Sequence, residues 1–426
     1  MFHLFQPNKN LRGQIRLERS KSLSNRALII RELCGAEFPI ENLSGSADTR
    51  ILDHLLRQFR FQKMHGGGAI TLDAGAGGTT FRFLTAFLAF QPGVQLLTGD
   101  ERMKERPVGP LVEALRRLGA RITYTGNPGF PPLLIEEPDW HAYQPDVRLS
   151  AAVSSQFVSA LLMVAPTLPS GLHLQLEDTV VSRPYIDMTL GLMRRFGATA
   201  RFTGTDIRVQ AGVYRPLPFT VEADWSAASY FYAFAALSET CDLLLEGLQE
   251  QSLQGDSRLA GFMEVFGIKT AFERDGVRLS KFPCPRLSFI EWDFLSTPDL
   301  AQTISVLCAA LGVRGLFSGL ETLRIKETDR LEALRAELKK VNVRLDPLPL
   351  KKDRRSGKNF FTQEGKAHWS VLPQFATYGD LRMAMALSIL GYLGRVGIGN
   401  PGVVDKSYPG FWKDLETLGF LSGHAS

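Results

Sequence analysis

The chain has few residues that could staple it, anchor it or hold a metal. Its four cysteines, Cys34, Cys241, Cys284 and Cys308, are scattered, and no two form a Cys-x-x-Cys pair. That spacing argues against a disulfide framework and a zinc site, and it fits a reducing, cytoplasmic setting. The seven histidines form no His-Glu-x-x-His or similar pattern, so no catalytic metal is expected. No apolar run approaches the roughly 18 residues of a membrane span. The opening stretch, Met1 to Gly13, has neither the apolar core nor the small-residue cleavage site of a secretory signal.

Nucleic acid also lacks support. The net charge of +5 favours anionic partners, but there is no RNP-like motif, zinc finger or arginine-rich stripe. Phosphorylated small molecules are the alternative. The densest basic run, Lys351-Lys352-Asp353-Arg354-Arg355, lies between Pro349 and Gly357 and reads as a solvated loop.

What is present is length and repetition. A chain of 426 residues exceeds one ordinary core, so two domains are expected. Helical segments recur that end in an apolar residue plus glycine: Leu118-Gly119, Phe196-Gly197 and Phe266-Gly267, with weaker copies at Phe59-Arg60, Val341-Asn342 and Leu418-Gly419. Glycine suits the left-handed position that closes a helix. Six small polar clusters open apolar helices: Ser20-Lys21-Ser22, Gly77-Gly78-Thr79-Thr80, Ser154-Ser155-Gln156, Asp224-Trp225-Ser226, Thr297-Pro298-Asp299 and Tyr378-Gly379-Asp380. Their oxygens can satisfy the first-turn amides. Three copies precede residue 222 and three follow it, which suggests two lobes of three α/β units each. Helices such as Phe81 to Phe90 and Phe231 to Leu237 are apolar nearly all round, so they should be buried with sheets outside them.

Helix N-termini offer unpaired amides to phosphate or carboxylate, and plain capping is the simpler use of each cluster. Four segments carry more than capping needs. Ser20-Lys21-Ser22-Leu23-Ser24-Asn25-Arg26 places Ser22 and Arg26 on one helix face. Gly99 to Pro107 is a charged loop between a strand and a helix. In Arg324 to Arg330, a continuous helix would line up Lys326, Glu327 and Arg330. The turn Gly75 to Thr80 is glycine-rich but lacks the Gly-Lys-Ser/Thr ending of a nucleotide loop, so ATP is not implied.

Ser20 to Arg26, Arg102-Met103-Lys104-Glu105-Arg106-Pro107, Val153-Ser154-Ser155-Gln156-Phe157, Ser182-Arg183-Pro184-Tyr185-Ile186-Asp187 and Lys326-Glu327-Thr328-Asp329-Arg330 resemble, in order, the signatures of the 5-enolpyruvylshikimate-3-phosphate synthase family. The resemblance runs end to end. It implies a two-lobed inside-out α/β barrel, each lobe three βαβαββ repeats whose buried parallel helices point at the interlobe cleft. It places residues 1–17 as the first strand of the C-terminal lobe and 18–222 as the N-terminal, shikimate 3-phosphate-binding lobe. Residues 223–426 are then the C-terminal lobe that completes the phosphoenolpyruvate site. The implied activity moves the enolpyruvyl group of phosphoenolpyruvate to the 5-hydroxyl of shikimate 3-phosphate, a step of aromatic amino acid (chorismate) biosynthesis. The implied enzyme is a cytoplasmic monomer.

By the same resemblance, Lys21, Ser22, Arg26, Ser154, Ser155, Gln156, Ser182, Tyr185, Asp299 and Lys326 contact shikimate 3-phosphate. Lys21, Gly78, Thr79, Arg106, Gln156, Arg330, Arg382 and Lys406 contact phosphoenolpyruvate. Asp299 is the base near the hydroxyl, Glu327 the acid that protonates the methylene carbon, and Lys21 and Lys326 assist. The chemistry accounts for this set. Several cations must offset two phosphorylated substrates, one carboxyl must give a proton and another must take one, and the cations then stabilise departing phosphate. No metal or organic cofactor is required.

The family's usual Asp-His-Arg-Met reads Asp380-Leu381-Arg382-Met383, its Gly-Asn-Ala-Gly-Thr reads Gly75-Ala76-Gly77-Gly78-Thr79, and an asparagine is replaced by Thr322. Leu381 supports one alternative, a silent paralogue that binds shikimate-type ligands. The sister enzyme acting on UDP-N-acetylglucosamine is another. It normally carries a loop cysteine, and none of the four cysteines lies between Leu97 and Pro110.

Overall fold

The computed structural model describes residues 1–66, 68–150, 154–177, 180, 182–325, 328–348 and 359–424. The basic run Lys351 to Arg355, and Lys326 and Glu327, lie outside the described residues. The chain forms two compact units, residues 20–221 and residues 1–19 with 222–426.

One strand pattern recurs. A strand, a helix and a parallel strand are followed by a second helix and a hairpin, which adds its strands antiparallel. In the unit 20–221 this gives Ile70–Asp73, Gln95–Thr98, Leu133–Glu136 and Arg121–Tyr124 in spatial order. Asp146–Ser150, Leu172–Glu177, Asp206–Val209 and Ala200–Thr203 repeat it. The remaining sheet of this unit is a parallel pair, Ile40–Glu41 with Phe219–Thr220. It has no hairpin because helix Ala47–His65 is followed within a few residues by Ile70–Asp73, which joins the next sheet. That helix also corrects the expected stop at Phe59-Arg60. It runs through both residues to Gly66, whose φ of 67° supplies the left-handed closure.

Among the described residues, the other unit holds three four-stranded sheets of the same strand order, and in one of them Phe2–Phe5 takes the place of a hairpin strand. The start of the chain supplies two strands here, not one, and they join different sheets. Phe2–Phe5 pairs antiparallel with Val396–Ile398 and Leu421–His424. Asn10–Arg16 lies parallel to Thr240–Glu246. Arg19 and Ala223 form an isolated bridge beside the two chain crossings.

Burial of the helices follows their composition. Every residue of Gly78–Leu88 except Thr79 is buried, as are Trp225 to Ala236 of Trp225–Leu237. An all-apolar helix surface gains stabilisation only when packed on every side. Helices Lys21–Cys34, Gly78–Leu88, Ser155–Val164 and Arg183–Arg195 pack together in the first unit, and Trp225–Leu237, Ala301–Leu311 and Leu381–Ser388 in the second. Among the described residues, no helix is long and apolar enough to cross a membrane.

Candidate active site

The polar helix openings use two chemistries. Ser20, Ser154, Asp224 and Asp380 accept first-turn amides through their side chains. Gly77 and Thr297 do not. Thr297 instead enters the 3₁₀ turn Pro298–Leu300, which places Asp299 just ahead of helix Ala301–Leu311.

In the unit 20–221, Lys21 opens its helix and pairs with Asp48 at 3.2 Å. Arg26 lies one turn on and is buried. It donates to Thr189 Oγ1 at 2.7 Å, Ser22 O at 2.8 Å, Ser159 Oγ at 3.0 Å and Tyr185 O at 3.4 Å. These acceptors are neutral, and among the described residues no carboxylate pairs with it. Burial drives the Arg26 pKa down to about 10, so its cation stays charged but poorly compensated.

Helices Gly78–Leu88 and Ser155–Val164 start side by side. Gln156 Nε2 donates to Thr79 Oγ1 at 3.0 Å, and the Gln156 backbone N–H donates to Oγ of the cap Ser154 at 3.2 Å. Arg82 donates to Gln156 Oε1 and lies over the Phe157 ring, so the amide is gripped at both ends. Ser155 is the first residue of its helix and is half-buried. A Cβ on Gly78 would overlap the Arg106 guanidinium, so glycine lets that cation lie across the helix start. Ser182 is a buried non-glycine residue in left-handed conformation, with φ 55° and ψ 36°. Such backbone costs about 1–3 kcal/mol and persists where its surroundings demand it. It precedes helix Arg183–Arg195, on which Tyr185 sits.

In the other unit, Asp299 gathers two arginines. Its Oδ1 accepts from Arg330 NH1 at 3.2 Å, and its Oδ2 faces Arg382 NH2 at 3.0 Å. Arg330 also donates through Nε to Asp380. Lys406 Nζ donates to Gly379 O at 3.0 Å, beside that aspartate. The helix expected through Lys326 to Arg330 is corrected. Asp329 caps helix Arg330–Lys339 by accepting from Glu332 N, so that helix begins at Arg330, and Lys326 and Glu327 lie outside the described residues.

Several partners escaped the sequence reading. Asp48, Ser159 and Thr189 left no periodic signal. Arg82 did, as a charge inside the apolar run from Phe81 to Phe90.

A family model described as EPSP synthase (3-phosphoshikimate 1-carboxyvinyltransferase) matches residues 5–415. The chain is 44% identical over 424 residues to the 3-phosphoshikimate 1-carboxyvinyltransferase of Bacteroides fragilis, covering 99% of this chain and 98% of that one. It is 34% identical to the enzyme of that name from a Sulfurovum species, covering 97% and 98%. Among solved structures, the EPSP synthase of Acinetobacter baumannii superposes over 100% of both chains, with a TM-score of 0.79 at 20% identity. An enolpyruvyl transferase of Streptomyces tendae covers 100% of this chain and 98% of its own at a TM-score of 0.69 and 15% identity. These last two likenesses concern the fold.

Proposed function

The chain belongs to the EPSP synthase family, and from that premise we propose that it transfers the enolpyruvyl group of phosphoenolpyruvate to the 5-hydroxyl of shikimate 3-phosphate, releasing phosphate. The observation that carries the reading is Asp299, a nearly buried carboxylate held between Arg330 and Arg382. Such a group can take a proton while its partners bind anions.

In the addition step the 5-hydroxyl oxygen bonds to C2 of phosphoenolpyruvate. Asp299 takes the hydroxyl proton, and Glu327 gives a proton to C3. In the elimination step the new methyl group returns a proton to Glu327, Asp299 gives its proton to the departing phosphate, and the C2–O bond breaks, which restores the vinyl group as an enol ether. Lys21, Gly78, Thr79, Arg106, Gln156, Arg330, Arg382 and Lys406 bind phosphoenolpyruvate and steady the departing phosphate. Lys21, Ser22, Arg26, Ser154, Ser155, Gln156, Ser182, Tyr185, Asp299 and Lys326 bind shikimate 3-phosphate. The poorly compensated charge of buried Arg26 supports its place in that set.

The enzyme works as a cytoplasmic monomer in this reading. All four cysteines are free, and one chain supplies every residue invoked. The test is phosphate release from purified protein given both substrates, with the enol ether product identified by mass. Release that needs both substrates supports the reading. Binding without release at any concentration favours the silent paralogue.

A further inference from the structure

Within the unit formed by residues 1–19 and 222–426, Asp299 and Asp380 are buried carboxylates against two arginines, Arg330 and Arg382, and Asp256 is a third buried carboxylate whose charged neighbours are Asp299, Arg382 and Asp224. The arginines are already matched. Arg330 meets Asp380 at 2.7 Å and Asp299 at 3.2 Å, and Arg382 meets Asp299 at 3.0 Å. Asp256 is the third carboxylate. It sits in the turn Gly255–Arg258, and its side chain receives one hydrogen bond among the described residues, from Ser226 Oγ at 2.5 Å.

A buried carboxylate with one neutral donor and no cation against it is costly to ionise. Two further carboxylates, Asp299 from the turn Pro298–Leu300 and Asp224 at the cap of helix Trp225–Leu237, raise that cost. Ser226 and Arg382 lower it. Burial leads the balance, which pushes the Asp256 carboxyl up to about 7.

We propose that Asp256 is a positioning residue that stores a proton, taking it up when phosphoenolpyruvate binds at Arg330 and Arg382. The proposal rests on the enolpyruvyl transfer reading above. With Asp256 ionised, the four carboxylates of Asp224, Asp256, Asp299 and Asp380 outnumber the cations Arg330, Arg382 and Lys406 by one, which repels an incoming anion. With Asp256 protonated, the three cations balance Asp224, Asp299 and Asp380, and the anion meets a neutral cluster rich in donors. Bound anion therefore raises the proton affinity of Asp256. By linkage, affinity for phosphoenolpyruvate is full below the free-state value and weakens as pH climbs through about 7.

Calorimetric titration of phosphoenolpyruvate into protein saturated with 5-deoxyshikimate 3-phosphate, which lacks the accepting hydroxyl, at pH 6 and pH 8.5, reads this directly. A one-unit rise of the Asp256 pKa on binding makes the wild-type Kd grow about tenfold more across that window than the Kd of Asp256→Asn, whose amide mimics the protonated acid. Ionisation of the substrates themselves is common to both proteins and cancels. Equal pH ratios in the two proteins overturn the proposal.

Should Asp256→Asn not fold, Ser226→Ala replaces it. Loss of the hydroxyl that stabilises the ionised form moves the weakening to higher pH, and an unmoved inflection overturns the proposal. Binding is read without turnover. A protein that shows the pH term but releases no phosphate fails the functional reading alone, and one that does not bind phosphoenolpyruvate fails both.

Discussion

Arg330 Nε donates to Asp380 Oδ2 at 2.7 Å, with 3% and 0% of the two side chains exposed. The other oxygen of Asp380 caps its own helix by accepting from Arg382 N at 2.8 Å. One carboxylate thus fixes two arginines, one through its side chain and one through the backbone that carries it. Asp380→Ala removes the cap and one of the carboxylates that pair with the buried Arg330 guanidinium, which costs about 3–5 kcal/mol. Asp380→Asn keeps the capping oxygen and costs less. Urea denaturation of the two variants checks the order.

Gly78→Ala puts a methyl group where Arg106 lies. Arg106 is long and half-buried, so it moves and the fold survives. The expected outcome is a higher KM for phosphoenolpyruvate, with affinity for shikimate 3-phosphate nearly unchanged. Equal losses for both substrates would contradict the placement of Arg106.

His173 bridges two aspartates on the sheet that holds Asp146–Ser150, Leu172–Glu177 and Asp206–Val209. Its Nε2 meets Asp206 and its Nδ1 meets Asp146 at 2.6 Å. The Asp206 bond foremost, then the Asp146 bond, raises the His173 pKa above its ordinary 6.5. A group raised in the folded state stabilises fully below its unfolded pKa and stops doing so as pH rises through the folded value. His173→Gln should therefore lower the melting temperature most near pH 6, with the deficit shrinking in alkaline buffer. Thermal melts across pH check this. A deficit that grows with pH would contradict it.

Local chemistry was legible in the sequence. Ser20, Ser154, Asp224 and Asp380 cap helices because capping involves residues two or three apart. The same locality misled at Arg330. The spacing of Lys326, Glu327 and Arg330 fits a helix face, but Asp329 captures the amide of Glu332 and starts the helix later. Partnerships across distant segments left no such trace. Lys21 with Asp48, Arg82 with Gln156 and Ser226 with Asp256 are made when separate helices and turns pack, and periodicity describes only one element at a time. Phe2–Phe5 is a further case, since its sheet partners lie at the far end of the chain.

The most direct test is the turnover of Asp299→Asn with both substrates saturating, measured beside its melting temperature. Removing a catalytic base lowers kcat by about 10²–10⁴-fold. The account predicts a loss of that size in a protein that still folds and still binds shikimate 3-phosphate. Wild-type kcat in the variant would contradict it.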